Sequence, residues 1–469
     1  MAQMEDDDHQ GERKAHVVVL PLPTRGHVNP MMHLAKLLAD LGHGQLLVTF
    51  VNSETNDRLV IAAERAALQR RGIRLEAIPD GLPDDVDRTT QVLDLCQSVL
   101  WAMPAPFDAL LARLRPAPTC IMADTWLTFA ISAAAKLGIP LANFWTQSAA
   151  SFASLFMIGN GLYKGPSQGD PLIPGAPFLS EADMNSFARC YDRSDIMFRF
   201  VTGGFDQLAH SRWILVNTFD ELEHHTLLAL AEQHRLRSLL SIGPILPPSL
   251  ISDRPNTDDA STLWLAEESC LSWLDRFEPK SVLYVSFGSL ALVSSKQSEE
   301  IALGLELSGH PFLWVTRPDL IYGESPTFNE EFLHRVKDRS FFVAWAPQLK
   351  VLNHPSVGGF FTHGGWNSTL EAITVGVPML GWPYFSDQPM DCTCIQEGWK
   401  IGLKLKEDMS GEKLVLRGAI QEKVKELMCS EKFQTMAQGW STLAKEAAQQ
   451  GGSSHRNIKN FVDCLRSFE

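Results

Sequence analysis

From residue 16 onward, short apolar runs alternate with amphipathic stretches. HVVVLP (16–21) gives way to NPMMHLAKLLADLG, where Pro30 falls at a favourable first-turn position and Gly42 at a stop. QLLVTFV (45–51), an Ala- and Arg-rich helical stretch near 54–71, TCIMAD (119–124), IPLANFW (139–145) and WILVNTF (213–219) continue the series. Short β-branched strands with helices between them predict an α/β fold, a parallel sheet covered on both faces.

The alternation stops at IGPILPPSLISDRPNTDDAST, where Pro, Ser, Asp and Asn dominate and no apolar period survives. This predicts a linker at 246–262 between an N-terminal domain, 1–245, and a second half, 263–451. The second half repeats the pattern in SVLYVSFGS (281–289), HPFLWVTRP (310–318), SFFVAW (340–345), VGGFFTH (357–363) and VPMLGWP (377–383). Helices follow at about 412–428 and 431–448, then a last amphipathic segment, 452–469. Two strand-rich halves leave a crevice between them, and open α/β sheets bind ligands at the carboxyl ends of their strands.

Composition narrows the function. A chain of 469 residues is too long for one ordinary core. Its formal charge of −14 argues against a nucleic-acid partner, which needs a basic face. The opening MAQMEDDDHQGERK is acidic and polar, unlike a signal peptide, and 1–14 reads as disordered. No apolar stretch approaches the roughly 18–20 residues of a transmembrane segment. The eight cysteines are scattered, and the Cys392-x-Cys394 pair lacks zinc spacing. Reduced thiols in a cytoplasmic protein, taken as a monomer, are the expectation. Cys96 and Cys120 sit in apolar runs and read as core.

Two places carry chemistry. His27 closes the loop PLPTRGH after the first strand, directly before the Asn29-Pro30 helix start, and Asp124 ends TCIMAD. An imidazole with an ordinary pKa near 6.5 suits removal of a hydroxyl proton, and a carboxylate can orient it. Against this, Asp124 also reads as a helix N-cap before TWLTFAISAAA, and His27 as one loop histidine among 14. The second place is VGGFFTH, where His363 precedes the Gly364-Gly365 turn and a helix opens on Trp366-Asn367-Ser368. A helix start offers unpaired N–H groups and about half a positive charge, which suits a diphosphate. Ser368-Thr369-Leu370-Glu371 is equally a capping box that any helix can carry. The D-x-D run Asp85-Val86-Asp87 reads as a solvated acidic loop rather than a metal site.

WAPQLKVLNHPSVGGFFTHGGWNSTLEAITVGVPMLGWPYFSDQ, the 44 positions from Trp345 to Gln388, resembles the signature box of plant family 1 UDP-dependent glycosyltransferases. GHVNPMMHLAKLLADLG, AIPDGLP, ILVNTFDELE, SFGSL and FLWVTRPDL extend the likeness over nearly the whole chain. The resemblance implies a GT-B fold, two facing Rossmann-like domains with an interdomain cleft, and a final helix crossing back to the N-terminal domain. It assigns Trp345 to stack on uracil and the Ala346 backbone to the base edge. It gives Gln348 and Glu371 to the ribose, and His363, Asn367, Ser368 and Ser289 to the phosphates. Trp366, Asp387, Gln388 and Thr146 fall to the sugar, and His27 with Asp124 to catalysis. Gln388 implies UDP-glucose as donor; no metal is implied. Gly364 departs from the family's common Cys and Arg25 from its small or amide residue, where it reads as a contact to an acceptor carboxylate.

The implied function is an inverting transfer of glucose to a hydroxyl of a small lipophilic acceptor, phenolic, flavonoid or terpenoid-like, giving a β-glucoside. The competing readings are a non-catalytic UDP-sugar-binding module and another GT-B enzyme such as a sugar-nucleotide epimerase. LWAMPAPF (100–107), SFASLFM (151–157) and DIMFRF (195–200) are candidates for an apolar acceptor pocket, with core the favoured reading for more than half of them.

Overall fold

AHVVVL contains only small, β-branched and apolar residues around one histidine, and it is buried along its length as strand β1 (Ala15–Leu20). His16 is tolerated there because its ring bonds the Pro116 carbonyl and the Thr49 hydroxyl, both at 2.8 Å. The computed structural model describes residues 15–467 apart from 61, 85, 87, 89–90, 164–172, 189–193, 206–207, 233–235, 237, 252–267, 289–292, 317–320, 323–327, 329 and 407–413. The 1–14 start, Asp85, Asp87, Ser289 and most of the 246–262 stretch thus lie outside the described residues.

β1 joins β2 (Leu46–Ser53), β3 (Ile73–Ile78), β4 (Cys120–Asp124), β5 (Leu141–Trp145), β6 (Trp213–Val216) and β7 (Leu239–Ser241) in a sheet ordered β3-β2-β1-β4-β5-β6-β7. A second sheet comprises β8 (Val282–Ser286), β10 (Phe312–Val315), β12 (Ser340–Val343), β13 (Val357–Thr362), β14 (Met379–Gly381) and β15 (Gly402–Lys404), ordered β12-β10-β8-β13-β14-β15. The two-residue strands β9 (Val293–Ser294) and β11 (Ile321–Tyr322) pair separately. The ladders in both sheets are parallel.

Each sheet has one place where the strand order reverses direction. In the first it lies between β1 and β4, paired with Leu20 opposite Ala123; in the second between β8 and β13, with Ser286 opposite Thr362. Connections leave such a pair in opposite directions, which opens a crevice at the carboxyl ends.

The helix Arg25–Leu41 buries Val28, Met31, Met32, Ala35 and Leu38, the i, i+3, i+4, i+7 spacing of one apolar face. It begins at Arg25, so the expected start at Asn29-Pro30 is corrected. His27 stands in its first turn, and Pro30 is inside it. The helix Ser453–Arg466 places Ile458, Phe461, Val462 and Leu465 in the same core as Val17 and Val19 of β1 and Leu34 of the helix Arg25–Leu41. Phe461 meets Trp213 edge to face at 5.0 Å, and the Ser454 hydroxyl donates to the Gly243 carbonyl. The C-terminal segment is thereby fastened to the first lobe.

Candidate active site

At the first crevice, His27 Nδ1 lies 2.6 Å from Asp124 Oδ2. Asp124 is only 1% exposed, and its other oxygen accepts the Trp126 N–H at 3.1 Å. The following helix starts at Phe129 with Thr128 at its N-cap, so Asp124 caps nothing. Thr146 Oγ1 is also 3.0 Å from His27 Nδ1. A proton on Nδ1 is then shared between a carboxylate and a hydroxyl, and Nε2 becomes the basic nitrogen. Among the described residues nothing bonds Nε2, and the ring lines a cavity of about 300 Å³ between the lobes. Trp126 packs on the same imidazole, ring centroids 5.0 Å apart.

The second crevice faces it. Gly364 has φ +78, and a Cβ there would stand 2.3 Å from Cys392 Sγ, so this turn from β13 requires glycine. The His363 ring lies between two more: added Cβ atoms would come within 2.6 Å of it at Gly288 and 2.5 Å at Gly365. Burial pushes the His363 pKa down to about 4. At neutral pH it is therefore an uncharged imidazole, able to donate one N–H but not to add positive charge.

The helix Trp366–Val375 has Gly365 at its N-cap and no side-chain cap. The capping-box alternative fails, because Ser368 is the third helical residue rather than the cap. The uncapped N–H groups of this turn open towards a cavity lined by Gly365, Trp366, Asn367 and Ser368. Asn367 Nδ2 donates to the Gly26 carbonyl of the first lobe at 2.6 Å. The Trp366 indole donates to the Asn217 carbonyl at 2.7 Å, which commits that side chain to the lobe interface and leaves its backbone N–H for a ligand.

Gln348 Nε2 donates to Glu371 Oε2 at 2.7 Å and Ser368 Oγ at 2.9 Å, and its Oε1 accepts from the Tyr284 hydroxyl at 3.2 Å. Burial raises the Glu371 pKa to about 7. Trp345 is half-buried, with the Arg25 guanidinium 4.4 Å from its ring centroid. Arg25 thus reaches the second lobe while still lining the cavity. Gln388 Oε1 accepts the N–H groups of Tyr384 and Phe385 at 2.8 and 3.0 Å, fixing its amide, and neighbouring Asp387 is 5% exposed.

The model of the "UDP-glucoronosyl and UDP-glucosyl transferase" family matches residues 270–445. Linamarin synthase 1 of Manihot esculenta is 38% identical over 96% of this chain and 97% of its own length. The (R)-mandelonitrile beta-glucosyltransferase of Prunus dulcis is likewise 38% identical, with the same coverage. The chain belongs to the plant family 1 UDP-dependent glycosyltransferases. Among solved structures, Os79 from O. sativa in complex with UDP superposes with a TM-score of 0.83 at 27% identity, covering 96% of this chain and 100% of that one. Phytolacca americana UGT2, complexed with UDP-2fluoro-glucose and pterostilbene, gives 0.78 at 28%, covering 96% and 99%. The transferase has the GT-B architecture and uses a UDP-sugar as donor.

One cavity in the transferase collects His27, Thr146, Trp345, Ala346, Gln348, His363, Trp366, Asn367, Ser368, Glu371, Asp387 and Gln388. Asp124 stands behind His27, and Ser289 is outside the described residues. The apolar end is built from Leu95, Cys96, Trp126, Phe187, Met197, Phe200 and Phe385. Only DIMFRF, of the three aromatic runs, contributes; Met103, Phe107 and Phe152 are core. Cys96, read as core, is both buried and cavity-lining. Trp126 and Asn217 follow the carboxyl ends of β4 and β6, a position that signals the ligand side of a parallel sheet. Phe187 and Phe385 carry no such signal.

Among the described residues no group of three or more His, Cys, Asp or Glu is arranged to hold a metal ion, and no single helix is long and apolar enough to cross a membrane.

Proposed function

We propose that the protein transfers glucose from UDP-glucose to a hydroxyl of a small, uncharged lipophilic acceptor, inverting the anomeric carbon to a β-glucoside. The observation that carries this reading is the 2.6 Å His27–Asp124 bond at the wall of the cavity into which the uncapped helix start opens. The residue assignments rest on this geometry and on the match of each position to the signature box.

His27 Nε2 takes the acceptor proton as the oxygen attacks the anomeric carbon. Asp124 holds the ring in the tautomer with Nδ1 protonated and stabilises the imidazolium that forms. UDP leaves from the opposite face. Charge on its diphosphate meets the helix N–H groups, Asn367, Ser368 and the neutral His363. Trp345 stacks on uracil; Gln348 and Glu371 hold the ribose; Asp387, Gln388 and the Trp366 backbone hold the hexose. Thr146, expected at the sugar, acts here on His27.

An uncharged acceptor suits the apolar end. The two arginines that line the cavity are engaged elsewhere, Arg25 over Trp345 and Arg88 on the Asp80 carboxylate at 2.9 and 3.0 Å. Mandelonitrile, for which the Prunus dulcis relative is named, and the pterostilbene bound to UGT2 fit that class. The same reading takes the protein as a cytoplasmic monomer, which light scattering and a fluorescent fusion would check.

The test is a UDP-release assay with UDP-glucose against neutral phenols, flavonoids and terpenoid alcohols beside their carboxylic-acid analogues, with mass spectrometry of products. Turnover of neutral alcohols to monoglucosides is expected. A preference for the acids, or consumption of UDP-glucose without any acceptor, would refute the reading.

A further inference from the structure

Buried carboxyl groups gather at the lobe interface beside the sugar end of the cavity. Asp387 and Asp391 come from the second lobe, Glu223 and Asp183 from the first. The first-lobe pair is well answered. Glu223 accepts the N–H groups of Ala149 and Ala150 at 2.7 and 2.9 Å. Asp183 holds the Lys404 ammonium at 2.8 Å and the Thr393 hydroxyl at 2.6 Å.

The second-lobe pair is not. Asp391 Oδ1 accepts the Ser148 hydroxyl at 2.9 Å, but Asp391 Oδ2 and Asp387 Oδ2 face no donor. The residues stand one helical turn apart, both buried and each with an unanswered oxygen. Two carboxylates cannot bond each other; a carboxyl and a carboxylate can. Lys404 is occupied by Asp183, Thr393 and the Pro389 carbonyl, so it neutralises neither.

We propose that Asp391 is a positioning residue that stands as the acid, its Oδ2–H donating to Asp387 Oδ2 while its Oδ1 accepts from Ser148, so that Asp387 is held as a single carboxylate aimed at the hexose. The proposal rests on the reading that Asp387 meets the sugar. The surroundings favour this placement of the proton. Burial and the Asp387 charge push the Asp391 pKa well above the carboxylate range, Glu223 adds to the push, and His27 favours charge on Asp387. The thiols of Cys392 and Cys394, next along the chain, are both raised by burial, which leaves them neutral. Because Ser148 belongs to the first lobe, the carboxylate's orientation is tied to how the lobes meet.

An amide reproduces this bonding and a methyl does not. Asp391→Asn is expected to keep the KM for UDP-glucose within about twofold. Asp391→Ala is expected to raise it about tenfold, the usual scale for a lost bond to a charged group. The dissociation constant for UDP, which carries no hexose, stays within about twofold in both. Wild-type KM rises at alkaline pH as the shared proton is lost, and Asp391→Asn removes that rise. An Asn variant as impaired as the Ala variant, a parallel loss of UDP affinity, or superimposable pH profiles would overturn the proposal.

Should Asp391→Ala not fold, the infrared carbonyl band of a protonated carboxyl still decides the proton's place. It is expected to lose intensity from wild type to Asp391→Asn, since buried Glu371 contributes alike to both; an unchanged band overturns the assignment. An unchanged KM in Asp387→Ala would instead remove Asp387 from the sugar, a separate failure.

Discussion

The side-chain amide of Asn367 donates to the main-chain carbonyl of Gly26 across the cleft, at 2.6 Å. That carbonyl lacks its usual helical partner because the residue four positions on is Pro30, which has no N–H. A proline inside the His27 helix thus frees an acceptor for the second lobe, and the bond sets the helix's first turn against the donor helix start.

Asn367→Ala removes this link together with a donor at the proposed phosphate site. A ten- to hundredfold loss in kcat/KM is expected, with stability changed by less than about 1 kcal/mol since the site is near solvent. Asn367→Asp should be worse, because a carboxylate would face both a carbonyl and a diphosphate. Steady-state kinetics beside thermal melts check it; an Asp variant as active as wild type refutes it.

His27→Ala should lower kcat by about 10²–10⁴, the range of a lost general base, while UDP affinity by calorimetry stays near normal. Asp124→Asn should also lower kcat strongly, because an amide can hold the opposite tautomer and cannot stabilise the imidazolium. A near-normal rate in either variant would displace the pair from catalysis.

Arg25 lies over Trp345, so its loss is expected to be felt at the donor. Arg25→Ala should weaken UDP-glucose binding by about 0.5–2 kcal/mol and leave the acceptor KM unchanged. Trp345→Ala should weaken UDP binding more. An Arg25→Ala effect confined to the acceptor would instead support the acceptor-carboxylate role.

Glu371 gives a pH test of stability. Its folded pKa of about 7 lies above the ordinary 4.5, so its contribution is full below about pH 4.5 and is lost as pH rises through 7. Glu371→Gln has no such loss. The melting temperature of the variant relative to wild type should therefore increase between pH 5 and pH 8, by the equivalent of about 1–3 kcal/mol. A pH-independent difference would show that the group titrates alike in both states.

How legible the fold was depended on where each strand lies. VVVL of β1, CIMA of β4 and VGGFFT of β13 are central, buried on both faces, and read as apolar runs. β3, β7 and β15, which the pattern missed, are sheet edges. IRLEAI of β3 is half wet and carries Arg74 and Glu76, while β7 and β15 are three residues each, too short for a period. The Pro30 signal misled because proline in a first turn and proline one turn further look alike in sequence.

The box from Trp345 to Gln388 was legible only as a family resemblance, whereas the sequence alone determined that two parallel α/β halves exist and that glycines stand where a strand must turn tightly into a helix. These follow from local rules, since periodicity, turn chemistry and helix starts involve neighbours along the chain. Only the tertiary structure decided what residues distant in the chain do to one another: that Thr146 serves His27, that Arg25 covers Trp345, that burial leaves His363 neutral, and that Ser148 reaches Asp391. Charge state and partnership depend on burial and on groups as far as 341 positions away, as with Gly26 and Asn367, and no reading along one strand of text contains those distances.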